Sequence, residues 1–255
     1  MNSRIAEAFA LLPQYLSQHI LLSLAALVLG GLISIPLAAA ALRFPRLRSG
    51  LLAVASVIQT IPGLAMLALF YPVLLAVSEL TQDSFGFSVP ALGFLPSVAA
   101  LTLYAILPIL RNTVTGLTGI DPTITEAAQG VGMTRRQQLL QVDLPLAAPV
   151  IMAGVRMAAV WTIGAATLAT PVGQTSLGNY IFSGLQTENW VFVLFGCAAA
   201  AILAILVDLL LALVEKATAL RDKRRLFAGI AGLVALIGIS LVPLARSQTS
   251  AYVIG

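Results

Sequence analysis

Along this chain long apolar runs alternate with short polar segments, and the runs are too long to be buried strands. Six of them, at 19–42, 51–78, 92–110, 146–170, 191–214 and 226–245, reach the roughly 20 helical residues needed to cross about 30 Å of hydrocarbon. A membrane barrel would instead need segments of about 10 residues with alternating polarity. The pattern predicts an all-α fold, a polytopic transmembrane helical bundle of about six spans, with no internal repeat and one membrane domain over 19–225. Pro62, Pro72, Pro96 and Pro108 fall inside the second and third runs. Each removes a helical N–H and frees a carbonyl, which a bundle tolerates where a neighbour or a solvated cavity satisfies it. Residues 1–18 precede an apolar run too long for a cleaved leader, so they are expected to form an external N-terminal segment before an uncleaved first span.

Composition agrees: charged residues make up 9% and hydrophobic ones 59% of the chain, where soluble domains carry about 25% charged residues. The net charge of +4 would point to nucleic acid in a soluble chain, but its distribution argues otherwise. Arg4 and Arg246 lie on one side of the membrane, Arg156 lies within it, and every other Lys and Arg falls in the loops 43–50, 111–145 and 215–225. The excess of basic residues places those loops in the cytoplasm and both termini outside. No nucleic-acid partner is expected. A single Cys and a single His leave no intrachain disulfide and no multi-histidine metal site.

One polar segment stands out between the third and fourth runs. Asp121-Pro122 is a good helix start, with Asp as cap and Pro at the first helical position, and Gly132 is a good helix stop. Thr134 can cap a second short helix, read as running through Gln141 and ending at Pro145. Two short helices meeting at a glycine make a compact knob, with Arg135 and Arg136 on its rim. The spacing Glu126-Ala127-Ala128, three residues, Gly132, nine residues, Val142-x-Leu144-Pro145 resembles the EAA loop of bacterial ABC-importer permeases, the cytoplasmic element that engages an ATPase subunit. The loop falls on the side that the basic residues independently mark as cytoplasmic.

Over about 17–216 the resemblance narrows to the osmoprotectant branch, whose importers carry glycine betaine, carnitine, choline and related quaternary amines. The runs that carry it are Gln59-Thr-Ile-Pro-Gly-Leu-Ala65, Leu103-Tyr-Ala-Ile-Leu-Pro-Ile-Leu-Arg-Asn-Thr113, Gly154-Val-Arg156, and Ser176-Leu-Gly-Asn-Tyr-Ile181 followed by Gly184-Leu185. Where the branch usually has Gly-Leu-Gly, this chain has Ser176-Leu177-Gly178, which puts the local turn geometry in question. The resemblance implies the type I importer permease fold and an inner-membrane location. Two permease subunits, identical or different, would form the path, two ATPases would dock on the EAA loops, and an external binding protein would deliver the solute. ATP and Mg would sit on the partner ATPase and no cofactor on this chain, which would not itself be an enzyme. Glu126, Arg135 and Arg136 would make polar contacts to the ATPase, and Gly132 the tight turn that nothing larger can make.

Substrate-path residues are harder to read. A quaternary ammonium has no hydrogen-bond donor, so its recognition favours aromatic faces, and Tyr71, Tyr104, Trp161 and Tyr180 are the candidates. Packing or an interfacial aromatic belt is the more ordinary explanation for each of them. Gln59, Thr60 and Asn112 lie beside proline kinks, where they either line a path or satisfy freed backbone. Arg156 and Asp208 fall at similar depth, counted at 1.5 Å per residue from the cytoplasmic ends of their helices, and are expected to pair. The alternative is that Asp208 touches a cationic solute.

Other classes remain to be weighed. A permease for another small polar solute, such as an amino acid, shares every feature except the branch-specific runs. An ion-coupled secondary transporter ordinarily needs more intramembrane ionisable groups than Arg156 and Asp208. An intramembrane hydrolase would need a nucleophile with a base, or paired acids, at one depth. The sixth run, 226–245, reads as an additional C-terminal span carrying an external tail, 246–255. In that tail a polar linker precedes Tyr252-Val-Ile-Gly255, which resembles the opening strand of the binding domain fused to some osmoprotectant permeases. The expectation is a permease fragment or a remnant of such a fusion, with binding supplied by another chain; the alternative is that the last span only anchors the bundle edge and the tail is disordered.

Overall fold

Apolar runs in a medium that offers no hydrogen bonds must satisfy their backbone internally, and the described chain is helical, without a strand. The computed structural model describes the backbone of residues 2–252 apart from Arg43 and Arg221, and the side chains of residues 3–240 apart from those two. The α-helices are α1 (Asn2–Ala41), α2 (Pro45–Thr60), α3 (Gly63–Phe85), α4 (Phe94–Thr118), α5 (Pro122–Gly130), α6 (Arg135–Gln138), α7 (Leu144–Ala166), α8 (Gly178–Gln186), α9 (Trp190–Leu220) and α10 (Lys223–Tyr252). A π turn, Leu139–Asp143, joins α6 to α7, and a 3-10 segment, Thr167–Val172, extends α7. Among the described residues five stretches are long and apolar enough to cross a membrane: Ser3–Ala41, Gly63–Phe85, Phe94–Thr118, Arg135–Val172 and Trp190–Leu220. The expected sixth span falls on α10, whose side chains from residue 241 onward lie outside the described residues.

Several expected boundaries move. Residues 2–18 are no separate segment, because α1 runs unbroken through them for 40 residues, about 60 Å at 1.5 Å per residue. The cause is packing: Ala8 is buried in a cluster with Tyr180 and Phe192, and Phe9 meets Phe195 edge-on at 5.0 Å. The second run is broken at Ile61-Pro62 into α2 and α3, with Ile61 extended (φ −72°, ψ 126°) as the residue before a proline prefers. The third extends to Thr118, so Arg111 and Asn112 lie on α4 and the loop proper begins at Gly119. Pro145 does not end the second short helix. The π turn precedes it, with the Leu144 N–H donating to the Leu139 carbonyl five residues back, and the wider turn leaves room for the ring in a helix that continues into α7. The tail is helical through Tyr252 rather than a linker, and the rest of the expected strand, 253–255, lies outside the described residues.

α4 is the buried centre, packed against α1, α2, α3 and α7. Lipid removes the hydrophobic drive for helix association, so close van der Waals approach between small residues replaces it. A β-carbon on Gly154 of α7 would stand 2.6 Å from the Asn112 Cβ and 2.7 Å from the Pro108 carbonyl oxygen of α4. One on Gly30 of α1 would stand 2.8 Å from the Ala105 Cβ. Fully buried His19 joins three parts of the chain: its Nε2 lies 3.0 Å from the Ile163 carbonyl, and its Nδ1 accepts from the Leu177 N–H at 3.3 Å. Because a carbonyl can only accept and an amide N–H only donate, the ring is the neutral Nε2–H tautomer. Its role is structural.

Candidate functional site

The missing N–H of Pro108 leaves the Tyr104 carbonyl without a helical partner, and Gln59 of α2 supplies one, its Nε2 donating to that oxygen at 3.0 Å. Tyr104 reciprocates, its hydroxyl donating to the Ile61 carbonyl at the α2–α3 break. Two proline interruptions on facing helices are thus held by one reciprocal clamp. Beside it opens a cleft of about 550 Å³, lined by Gln59, Thr60, Pro62, Tyr104, Trp161 and Gly164 among others. Four of the seven path candidates, Gln59, Thr60, Tyr104 and Trp161, therefore meet at one place. Trp161 presents its ring there and is 52% exposed.

The other three are elsewhere. Asn112 donates to the Pro108 carbonyl at 2.8 Å and is wedged between α4 and Gly154 of α7. Tyr71 is an exposed residue of α3 away from the cleft. Tyr180 has no exposed surface. Its hydroxyl donates to the Ala8 carbonyl at 2.5 Å, and its ring is surrounded by Tyr15, Phe192 and Phe195. It is a core residue. The Ser176 substitution is explained nearby, for its hydroxyl accepts from the Gly178 N–H at 3.0 Å and meets Thr170 Oγ1 at 3.1 Å, a buried cap that a glycine could not supply.

Arg156 and Asp208 pair as their depths require, through Nε–Oδ1 at 2.5 Å and Nη2–Oδ2 at 2.8 Å, the bidentate arrangement that best fits a guanidinium to a carboxylate. The structure adds Glu215, whose Oε2 lies 3.3 Å from Arg156 Nη1. Sequence reasoning missed it, although a residue seven positions past Asp208 is two helical turns on and shares its face. The three side chains line a second pocket of about 340 Å³ with Trp161 on its rim.

The polar knob is built from local capping. Asp121 caps α5 by accepting from the Thr123 N–H at 2.9 Å and its hydroxyl at 2.8 Å, and these two bonds hold the Asp121 carboxyl below the usual carboxylate range. At the other end Gly132 (φ +81°) donates to the Gln129 carbonyl and Met133 to the Ala128 carbonyl, the paired bonds of a Schellman cap. A Cβ on Gly132 would meet nothing within 4 Å, so the constraint there is the left-handed backbone and not lack of space. Thr134 and Gln137 then form a reciprocal capping box that starts α6. Glu126, Ala127, Arg135, Arg136 and Pro145 are exposed, Ala128 is buried beneath them, and neither arginine has a carboxylate partner among the described residues.

Residues 23–220 match the family described as the binding-protein-dependent transport system inner membrane component. The chain belongs to this family. Its relatives include the choline transport system permease protein OpuBB of Bacillus subtilis, 40% identical over 199 residues, 78% of this chain and 84% of the relative. The carnitine transport permease protein OpuCB of Listeria monocytogenes is 38% identical over 78% of this chain and 84% of its own length. The osmoprotectant import permease protein OsmW of Salmonella typhimurium is 34% identical over 76% and 85%. The inward-facing MetNI methionine ABC transporter shares the fold, with a TM-score of 0.70 at 19% identity, covering 82% of this chain and 97% of that one. An amino acid ABC transporter solved with histidines gives 0.65 at 20% identity, over 84% and 96%. The fold is that of a type I importer permease and the chain is a multi-pass inner-membrane transport subunit, in which α10 lies beyond the matched residues.

Proposed function

We propose that this permease forms the translocation path of an ATP-driven importer for quaternary-amine osmoprotectants such as choline, glycine betaine and carnitine. The observation that carries the reading is the set of relatives at 34–40% identity, whose names specify choline, carnitine or osmoprotectant transport. The cleft beside Trp161 supports it, since an exposed indole face attracts a cation that cannot donate a hydrogen bond. ATP is hydrolysed by a partner ATPase that docks on the knob from Pro122 to Pro145, with Glu126, Arg135 and Arg136 in contact and both termini of this chain outside. A second permease subunit completes the path, and an external binding protein delivers the solute. Closure of the ATPases passes to the helices as rigid-body motion, for which the continuous helix from α6 through α7 is a direct lever.

The test is uptake of labelled choline, glycine betaine and carnitine by the complex reconstituted with its ATPase and binding protein. ATP-dependent accumulation of at least one, with the ATPase copurifying at fixed stoichiometry, is the expected result. Accumulation of amino acids alone would refute the substrate assignment.

A further inference from the structure

The pocket at Arg156 and the cleft at Tyr104 are neighbours on one helix face. Both are lined by Val160 and Trp161 of α7. Together they follow that face from Ala153 to Leu168, about 22 Å at 1.5 Å per residue, most of a bilayer's hydrocarbon core. The two halves differ in charge. In the half nearer α5 and α6 one guanidinium meets two carboxylates, and among the described residues neither carboxylate has a second basic partner. Asp208 holds Arg156 with both oxygens, whereas Glu215 touches it through one contact at 3.3 Å. The half nearer the α2–α3 break has no charged side chain, and three of its polar side chains are tied to backbone: Gln59 and Tyr104 each donate to a freed carbonyl, and the Thr60 hydroxyl to the Val57 carbonyl at 2.7 Å.

We propose that this face is a transit track for an organic cation, with the Trp161 ring at its midpoint as an aromatic contact and Glu215, the more loosely held of two carboxylates that share one guanidinium, as the charge that draws the cation toward the cytoplasmic end. Asp208 is the structural partner of Arg156, and Glu215 is the group left to act on the solute. A stretch without charged side chains, faced by an exposed aromatic ring, fits a quaternary ammonium, which donates no hydrogen bond and interacts through charge and aromatic contact. The track rests on the quaternary-amine reading of the previous section and deepens it, because it separates solutes by net charge: choline carries +1, whereas glycine betaine is a zwitterion of net zero.

The experiment uses the complete transporter in liposomes, with its ATPase, companion permease and binding protein, supplied with labelled choline or glycine betaine at saturating binding protein. Glu215→Gln retains the bidentate Arg156–Asp208 pair, so the complex is expected to assemble. The ratio of choline to glycine betaine uptake is expected to fall about three- to ten-fold on loss of one unit charge at a partly hydrated site, and Glu215→Asp to restore most of it. Trp161→Leu, which leaves the ion cluster untouched, is expected to slow both solutes, and Trp161→Phe to slow them less. An unchanged ratio in Glu215→Gln, or an equal loss of both solutes, overturns the role of Glu215. Wild-type rates in Trp161→Leu overturn the track even if Glu215→Gln fails to assemble. Failure of the wild-type complex to carry either solute would refute the functional reading itself, and is told apart because no variant is needed to see it.

Discussion

The Gln59–Tyr104 contact allows a prediction in which two substitutions cancel. Gln59→Met keeps nearly the same side-chain length but deletes the donor, leaving the Tyr104 carbonyl unpaired beside the cleft, since Pro108 has no N–H to offer it. An intramolecular hydrogen bond is worth about 0.5–1.5 kcal/mol net, and an orphaned buried acceptor costs about 1–3 kcal/mol. The cleft admits some water to this carbonyl, which puts the expected loss at about 1–2 kcal/mol. For a chain of this size that is an apparent melting midpoint lowered by about 2–8 °C, read by thermal unfolding of the detergent-solubilised permease. Pro108→Ala restores an N–H that can pair with the Tyr104 carbonyl within α4. In that background Gln59→Met should cost little, so the double-mutant cycle should show coupling of at least about 1 kcal/mol. Additive effects, or a Gln59→Met protein as stable as wild type, would refute the claim that Gln59 compensates for the proline.

Three further outcomes follow from the geometry. At Gly132 the left-handed backbone in open space predicts that Gly132→Asn, which tolerates that conformation, keeps ATPase docking in a pull-down, whereas Gly132→Val strains the Schellman cap by about 1–2 kcal/mol and weakens it. Gly154→Leu should prevent recovery of folded permease, because its Cβ alone would stand 2.7 Å from a backbone oxygen that cannot move aside; a monodisperse, active variant would contradict the close α4–α7 crossing. The Asp121 cap has a depressed carboxyl pKa, so its contribution to α5 is present above the ordinary carboxylate value of about 4 and is lost as pH falls through the lowered one. The protection factor of the Thr123 amide, its exchange rate referred to the intrinsic rate at the same pH, should therefore fall at low pH in wild type, and Asp121→Ala should abolish that dependence.

Features encoded within a turn or two of one helix were legible in the amino-acid order. The apolar runs forecast the helices, Asp121, Gly132 and Thr134 forecast the caps of the knob, and depth counting paired Arg156 with Asp208, because caps and rise per residue depend only on near neighbours along the chain. Tertiary structure decided which way each helix faces. In water hydropathy separates inside from outside, but in a bilayer an apolar residue is equally at home against lipid and in the core, so the pattern around these helices carried little record of rotation. Tyr180, buried beneath α1, and Trp161, exposed in the cleft, looked alike for that reason. The reach of Gln59 to a carbonyl 45 positions away, the third member of the Arg156 cluster and the passage of the helix through Pro145 all arose from elements meeting or relaxing in three dimensions.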